Sequence, residues 1–278
     1  QVFSDMLWPQ RDDRAWVSSL DATNLREAYD RDGFVVVEGL VPPDCLEIYQ
    51  DLYAKMHRGE IDCSTHRHDL GAHLDPQIPG KENTGQIMWP SDFVKGLAHG
   101  PVHSRSRAVA QLLLGKDAEF DFDMLIFKDA HTNAETPWHQ DEAYWPPGMS
   151  DKRAASCWVA LDNVFVDNGC MWFGRGSHNG GLRSHASASP GSHILATKEV
   201  GEAHGDELIP MPLAAGSCTF HSGRTLHYAG GNKTAHPRRA YITNFRPKAM
   251  IEFERTINFD HGRQGMAVGL KPETASRL

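Results

Sequence analysis

Thr136-Pro137-Trp138-His139-Gln140-Asp141 is the stretch on which the reading of the chain turns. In a strand successive side chains alternate between faces, so His139 and Asp141 project to one side and Gln140 to the other. One imidazole and one carboxylate then converge. A second imidazole arriving from a distant strand would complete a 2-His-1-carboxylate set, the arrangement that leaves positions open on Fe(II) for a co-substrate and oxygen. An H-x-D triplet also arises by chance, so its weight depends on its surroundings.

Working outward, the residues beyond 118 read as strands. The candidates are Phe120 to Phe127, Pro137 to Asp141, Ser156 to Leu161, Gly169 to Phe173, Ser217 to His221 and Ala240 to Phe245, separated by Gly, Pro, Asn and Asp clusters. Upstream the texture is helical. Thr23 or Asn24 can cap a segment through Leu25, Ala28 and Tyr29, and Asp32-Gly33 then breaks into the β-branched run Phe34 to Val37. Pro42-Pro43-Asp44 restarts a helix in which Leu46, Ile48, Tyr49, Leu52, Tyr53 and Met56 form an apolar stripe. Residues His57 to Pro90 lack periodicity and read as a long irregular segment, and Ala108 to Leu114 as a short helix ending at Gly115. Many short strands after a helical start favour an antiparallel sandwich or barrel with helices on one side. The expectation is one domain over 1–278, with a helical flank at about 1–117 and a β core at about 118–247.

Composition sets the boundaries. The chain has 278 residues, 40% hydrophobic and 23% charged, which suits a globular protein with a sizeable core and excludes collagen, coiled-coil and disordered readings. With 28 Lys+Arg against 36 Asp+Glu the net charge is −8, so no basic surplus points to nucleic acid or an anionic membrane. Cys45, Cys63, Cys157, Cys170 and Cys218 are odd in number, widely spaced and without a C-x-x-C pair, which argues against a disulfide framework and a zinc ribbon and for reduced thiols in the cytoplasm. The start at Gln1 lacks a signal-peptide pattern and suggests a processed or trimmed end, and no window approaches the ~18 apolar residues of a membrane span. No Walker, H-E-x-x-H or G-x-S-x-G string appears, and Gly174-Arg175-Gly176 does not extend to G-x-G-x-x-G.

The second informative string runs from Gly216 through His221, His227 and Asn232 to Arg238-Arg239-Ala240. Here a strand ends in a Gly-containing loop, histidines sit near the turn, and arginines open the next strand. An arginine suits a dicarboxylate co-substrate because its planar fork makes two parallel charge-assisted hydrogen bonds to a carboxylate. Alternation allows only one of Arg238 and Arg239 to face inward and does not say which. His221 and His227 both remain candidates for the distal ligand.

These residues resemble the phytanoyl-CoA dioxygenase family of Fe(II)- and 2-oxoglutarate-dependent oxygenases. The likeness runs through Asp32 to Val37, the helix after Pro43, Trp138-His139-Gln140-Asp141 with Tyr144-Trp145-Pro146, Trp158, Asn168-Gly169-Cys170, Gly176-Ser177-His178 and Gly216 to Ala240. The resemblance implies a mainly β fold with flanking α-helices, a double-stranded β-helix or cupin-like jelly-roll barrel. It implies Fe(II) held by His139, Asp141 and His227, 2-oxoglutarate clamped by Arg238 with Trp158 lining its pocket, and O2 as the oxidant. The expected reaction is hydroxylation of a small-molecule C–H bond with release of succinate and CO2. Retention of Asp141 favours oxygen insertion over halogenation.

Trp89, Lys128, Tyr144, Trp145, Trp172 and Arg246 are the expected substrate-pocket residues. An acyl-CoA would call for a basic surface for its phosphates, which the acidic chain with only scattered positions such as Arg105 and Arg107 does not advertise, so a small metabolite or natural-product intermediate is the expected substrate. His66 and His68 read as loop residues, His178 as a turn residue, His185, His193 and His204 as part of a surface excursion, and Cys170 and Cys218 as small core residues. Two other classes fit the residues less fully: a cupin-like metal enzyme that does not use 2-oxoglutarate, and a non-catalytic jelly-roll binding protein.

Overall fold

The computed structural model describes residues 7–71, 82–189 and 194–264. Helices α1 (Asp13–Ser18) and α2 (Ala22–Asp32) lead into strand β1 (Phe34–Val37), followed by α3 (Pro43–His57), β2 (Arg67–Asp69), β3 (Thr84–Met88), α4 (Pro90–Phe93) and α5 (Pro101–Leu114). The chain continues through β4 (Ala118–Lys128), β5 (Thr136–His139), β6 (Ala155–Ala160), β7 (Met171–Arg175), β8 (Ala186–Ser187) and β9 (Leu195–Ala196). It ends in β10 (Glu207–Met211), β11 (Cys218–His221), β12 (His227–Ala229), β13 (Arg238–Pro247) and α6 (Lys248–Thr256). Asp21, rather than Thr23 or Asn24, caps α2 by accepting the Asn24 N–H at 3.0 Å. Gly33 ends that helix at φ +83°, and a Cβ there would collide with His178 and Thr225.

Seven strands form one antiparallel sheet in the order β1-β11-β6-β13-β4-β3-β2, and four form a second in the order β10-β7-β12-β5. Alternation along β6 shows how the two faces of the large sheet are used. Cys157 and Val159 point outward to a core shared with Tyr49, Tyr53 and Met56 of α3 and Val109 and Leu113 of α5. Trp158 and Ala160 point inward to a second core shared with Met171 and Phe173 of β7 and Ala229 of β12. Each large apolar side chain buried this way contributes roughly 1.5–3 kcal/mol, which is what holds helices to one sheet and the two sheets to each other.

The fold is the expected β-rich double-stranded β-helix with flanking helices, with a correction to the barrel. Among the described residues the two sheets do not join into one closed ladder. Both edges of the small sheet carry a proline, Pro137 in β5 and Pro210 in β10, and a residue without an N–H cannot extend a ladder outward. The reading of residues 57–90 as irregular is also corrected, since β2 and β3 lie within it and extend the large sheet beyond β4. Thr84-Gly85-Gln86-Ile87-Met88 is buried on both faces and so shows no alternation; pairing with β4, not local propensity, makes it a strand. Among the described residues no helix is long and apolar enough to cross a membrane.

Helix α6 is tied to the large sheet by buried charge. Arg246 on β13 lies 3.3 Å from Asp121 and 2.5 Å from Glu254, and Arg255 lies 2.6 Å from Asp121. His261 completes the cluster at 3.1 Å from Asp121 and stacks on Phe122 with ring centroids 3.8 Å apart. Burial would lower the His261 pKa, but the carboxylates of Asp121 and Glu254 outweigh it and raise the imidazole above its ordinary value of 6.5. A group whose pKa is raised by folding stabilises fully below its unfolded value and loses that contribution as pH rises through its folded value. His261→Gln, which keeps a donor and removes the charge, should therefore lower the melting temperature at pH 6 and converge on wild type towards pH 9. A gap of constant size across that range would refute a charged His261.

Candidate active site

The expected strand through Asp141 stops at His139. Gln140 remains extended at φ −122° and ψ 132°, and Asp141 opens a tight 3-10 turn, Asp141–Tyr144. The carboxylate nonetheless returns to the imidazole: Asp141 Oδ1 lies 3.7 Å from His139 Nε2. His227 on β12 is the direct cross-strand partner of His139 on β5, and its Nε2 lies 3.4 Å from the same Oδ1. One ligand-type atom from each of His139, Asp141 and His227 lies within 4.8 Å of the others.

Both imidazoles are held in one tautomer. His139 Nδ1 donates to the Pro137 carbonyl at 2.7 Å and His227 Nδ1 to the Thr225 carbonyl at 2.9 Å, since a carbonyl only accepts. In the neutral form of each ring the lone pair is therefore on Nε2, the atom a metal would take. Burial acts to lower the His227 pKa, but the Asp141 carboxylate outweighs it and raises that imidazole above its ordinary value. Burial, aided by His227, lowers the His139 pKa to about 3. For Asp141 burial acts upward but is outweighed by His227 and His221, which hold the carboxyl well below its usual range. His221 differs from the other two histidines. Its Nε2 lies 3.4 Å from Asp141 Oδ2, and its Nδ1 is buried without a hydrogen-bond partner.

The other end of the space between the sheets carries two buried cations. Arg238 on β13 and Lys128 on β4 are cross-strand partners, 1% and 0% exposed. Neither has a carboxylate within ion-pair distance among the described residues. Lys128 Nζ donates to the carbonyls of Ala134, Ala229 and Gly230 at 2.6–3.0 Å. Arg238 packs its guanidinium 5.4 Å over the Trp158 ring, and its Nε and Nη1 have no hydrogen-bond partner. Burial lowers the Arg238 pKa to about 10. The hydroxyl of Thr84, the cross-strand partner of Lys128, is likewise buried and unpaired. Arg239, by contrast, is spent on Asp162, at 2.5 and 2.9 Å. An orphaned, desolvated guanidinium costs several kcal/mol unless an anion meets it, and the Arg238 fork suits the distal carboxylate of a 2-oxo dicarboxylate such as 2-oxoglutarate.

The remaining expected pocket residues are dispersed. Tyr144 stands edge-on to the His139 ring at 5.9 Å, and its hydroxyl accepts the Leu195 N–H. Trp145 lies between Gly223 and the Arg246 guanidinium, which is 4.0 Å above its ring. The Arg246 charge is neutralised by Asp121 and Glu254, and Lys128 is at the arginine end, so neither offers a free charge to a substrate beside the histidines. Trp89 is buried with Met88 and Phe122 and donates to the Asp260 carbonyl. Trp172 pairs with Tyr228, so alternation puts it on the opposite face of β7 from Phe173 and away from the space between the sheets. His66 contacts the Arg263 carbonyl and His178 the Asp30 carbonyl, while His193 lies outside the described residues. All five cysteines are free and buried.

Two facing sheets, a 2-His-1-carboxylate cluster between them and an unpaired arginine at the far end define the class of a non-haem iron oxygenase of double-stranded β-helix fold. The sequence profile of the family described as phytanoyl-CoA dioxygenase (PhyH) matches residues 29–240, and the chain belongs to that family. A bovine (Bos taurus) relative, phytanoyl-CoA dioxygenase domain-containing protein 1, is 31% identical over 77% of this chain and 86% of its own. The crystal structure of EvdO2 from Micromonospora carbonacea var. aurantiaca complexed with 2-oxoglutarate superposes with a TM-score of 0.67 at 28% identity, covering 82% of this chain and 91% of that one. The epimerase SnoN, in complex with Fe3+, alpha ketoglutarate and nogalamycin RO, gives a TM-score of 0.62 at 25% identity over 81% and 82% of the two chains. The protein is thus an Fe(II)- and 2-oxoglutarate-dependent oxygenase.

Three further residues support the site. Gln140 is fully buried behind the histidines; its amide donates to the Gly181 and Arg224 carbonyls, and its oxygen accepts the Arg183 N–H. His185, expected in a surface excursion, is half-buried and accepts the Gln140 backbone N–H at 3.0 Å, its Nδ1 donating to the Arg183 carbonyl. Asn232, fully buried, reaches the Asp129 and His236 carbonyls and secures the turn after β12. Only the outward alternation of Gln140 hinted at any of this. Gln140→Leu, of similar volume, strips three backbone groups of their partners and should cost about 3–9 kcal/mol in urea unfolding, at ~1–3 kcal/mol for each group left buried and unmet. Loss below about 0.5 kcal/mol would show that those groups find other partners.

Proposed function

We propose that His139 Nε2, Asp141 Oδ1 and His227 Nε2 are the three protein ligands of the iron, and that Arg238, over the Trp158 ring, binds the distal carboxylate of 2-oxoglutarate. The observation that carries this reading is the pairing of two imidazoles, each tied at Nδ1 to a carbonyl and turning Nε2 to one carboxylate oxygen, with an unpaired, buried guanidinium on the same inner face. Together iron and 2-oxoglutarate supply oxidative decarboxylation, which couples O2 to oxidation of a substrate C–H bond and releases succinate and CO2. The chain's own part is to hold and to exclude. The Pro137 and Thr225 carbonyls keep the imidazoles in the ligating tautomer. Lys128 anchors three carbonyls beside Arg238 and adds positive charge to that end, so it belongs with the co-substrate rather than the substrate. Tyr144, three residues past Asp141, stands edge-on to the His139 ring and covers that side of it.

We read the reaction as hydroxylation of a small metabolite or natural-product intermediate. The nogalamycin compound in the SnoN complex and the net charge of −8 support this over an acyl-CoA. Residues 1–278 act as one catalytic domain, since both cores share the large sheet. Five free thiols and a requirement for Fe(II) suit a reducing compartment, the cytoplasm.

Anaerobic addition of Fe(II) and 2-oxoglutarate should give the weak visible charge-transfer band of the chelate in wild type and none in His139→Ala or Asp141→Ala. A band of wild-type intensity in Asp141→Ala would remove that residue from the ligand set. Arg238→Met should raise the 2-oxoglutarate KM by about 10–100-fold, the equivalent of the ~1.5–3 kcal/mol of a charge-assisted hydrogen bond, with the band still attainable at high co-substrate. An unchanged KM would exclude Arg238 as the clamp. Across a substrate panel read out by succinate, turnover with acyl-CoA thioesters alone would overturn the small-metabolite reading.

A further inference from the structure

Asp141 has two oxygens in different surroundings. Oδ1 faces His139 and His227, whereas Oδ2 accepts the Ser156 hydroxyl at 2.8 Å and lies 3.4 Å from His221 Nε2. We propose that Ser156 and His221 are positioning residues that occupy the outer oxygen of Asp141 and so make it a one-oxygen metal ligand. The proposal rests on the ligand reading above.

The chemistry of the neighbours supports it. A carboxylate only accepts, so a hydrogen bond from His221 to Oδ2 comes from Nε2–H, and no carbonyl holds the ring proton at Nδ1 as one does in His139 and His227. That tautomer is opposite to those of His139 and His227, and it leaves Nδ1 as the lone pair, buried and unpartnered among protein groups. His221 is wedged between the rings of Phe173 and His227, with centroids at 5.3 and 4.6 Å, which fixes its plane. In its neutral form it therefore presents a donor, where neutral His227, with Nδ1–H bound to the Thr225 carbonyl, presents a lone pair.

Ser156 lies on β6 directly across from His221 on β11 and from Asn244 on β13, so three adjacent strands aim one row of polar side chains at this carboxylate. The single hydroxyl proton of Ser156 goes to the carboxylate, the stronger acceptor. Asn244 stands 2.6 Å away through its amide oxygen, with its Nδ2 buried and unpaired; turned end for end, the amide would donate to Ser156 and leave the hydroxyl proton to the carboxylate. The consequence is steric and electronic. A carboxylate with both oxygens free can close on a metal through both, filling a position that a facial triad must leave to co-substrate and dioxygen. Outer partners of this kind typically change metal affinity by 10–100-fold.

The test is anaerobic titration of the full chain with Co(II) alone, following the visible d–d bands, for wild type, Ser156→Ala, His221→Leu, His221→Gln and Asp141→Ala. Ser156→Ala and His221→Leu should bind Co(II) roughly 10–100-fold more weakly, with weaker bands as the coordination number rises, while the metal-free proteins keep a cooperative thermal transition. His221→Gln, which returns a donor to the same place, should recover both affinity and spectrum. Wild-type affinity and spectrum in Ser156→Ala and His221→Leu, alongside loss of binding in Asp141→Ala, would overturn the positioning role and leave the ligand reading intact. Wild-type binding by Asp141→Ala would overturn both.

Discussion

The pairing of β12 with β5, which places His227 opposite His139, is the constraint on which the site depends. Antiparallel partners on one face stand about 4.5–5.5 Å apart, close enough for two imidazoles to share one acceptor and too close for two charged ones to be comfortable. The carboxylate of Asp141 resolves that tension. It can be where it is because the strand ends at His139 and the chain turns at once, bringing the third donor back over the pair. A one-residue slip of β12 would turn His227 to the outer face and replace it with Leu226 or Tyr228, leaving nothing to complete the set.

A second register, Arg238 against Lys128, sets the other end of the same space. Two desolvated cations side by side are unfavourable on their own account, and the fold tolerates them unequally. Lys128 is compensated by three carbonyls drawn from two turns, whereas Arg238 has only the face of Trp158 and a distant Asp162. The cost is concentrated in the group whose planar fork best matches a carboxylate, so the site stores its demand for an anion in one residue. The turn that supplies the carbonyls to Lys128 runs through Gly230-Gly231, where a Cβ on Gly231 would lie 2.6 Å from the Thr132 carbonyl. The glycine-rich sequence after His227 is therefore a packing requirement of the arginine end.

Support for the histidine end comes from the opposite side of the chain. Gln140 and His185 brace the β5 strand from behind, and Ser156 and His221 brace the carboxylate from within. The two imidazoles sit on strands and the carboxylate on the turn that follows one of them, while most of the residues that hold them in place come from loops and strands far away in sequence. This division puts rigid elements under the chemistry and leaves the long connections between strands for substrate recognition.

Composition, the H-x-D triplet and the ordered motifs around it were enough to read the β-rich fold, the flanking helices, the His139–Asp141 pair and the iron and 2-oxoglutarate chemistry, because local alternation and motif order are properties of neighbouring residues. Strands β2 and β3 were not legible: a segment buried on both faces by its neighbours has no period of its own. Nor could alternation choose between Arg238 and Arg239, or His221 and His227. Tertiary structure sets the two arginines apart by giving Arg239 a carboxylate, Asp162, and Arg238 none. It distinguished the two histidines by a carbonyl at Nδ1 of His227 and none at Nδ1 of His221. The physical reason is the same in both cases. What a polar side chain can do depends on which of its atoms are already satisfied, and their partners lie tens of residues away.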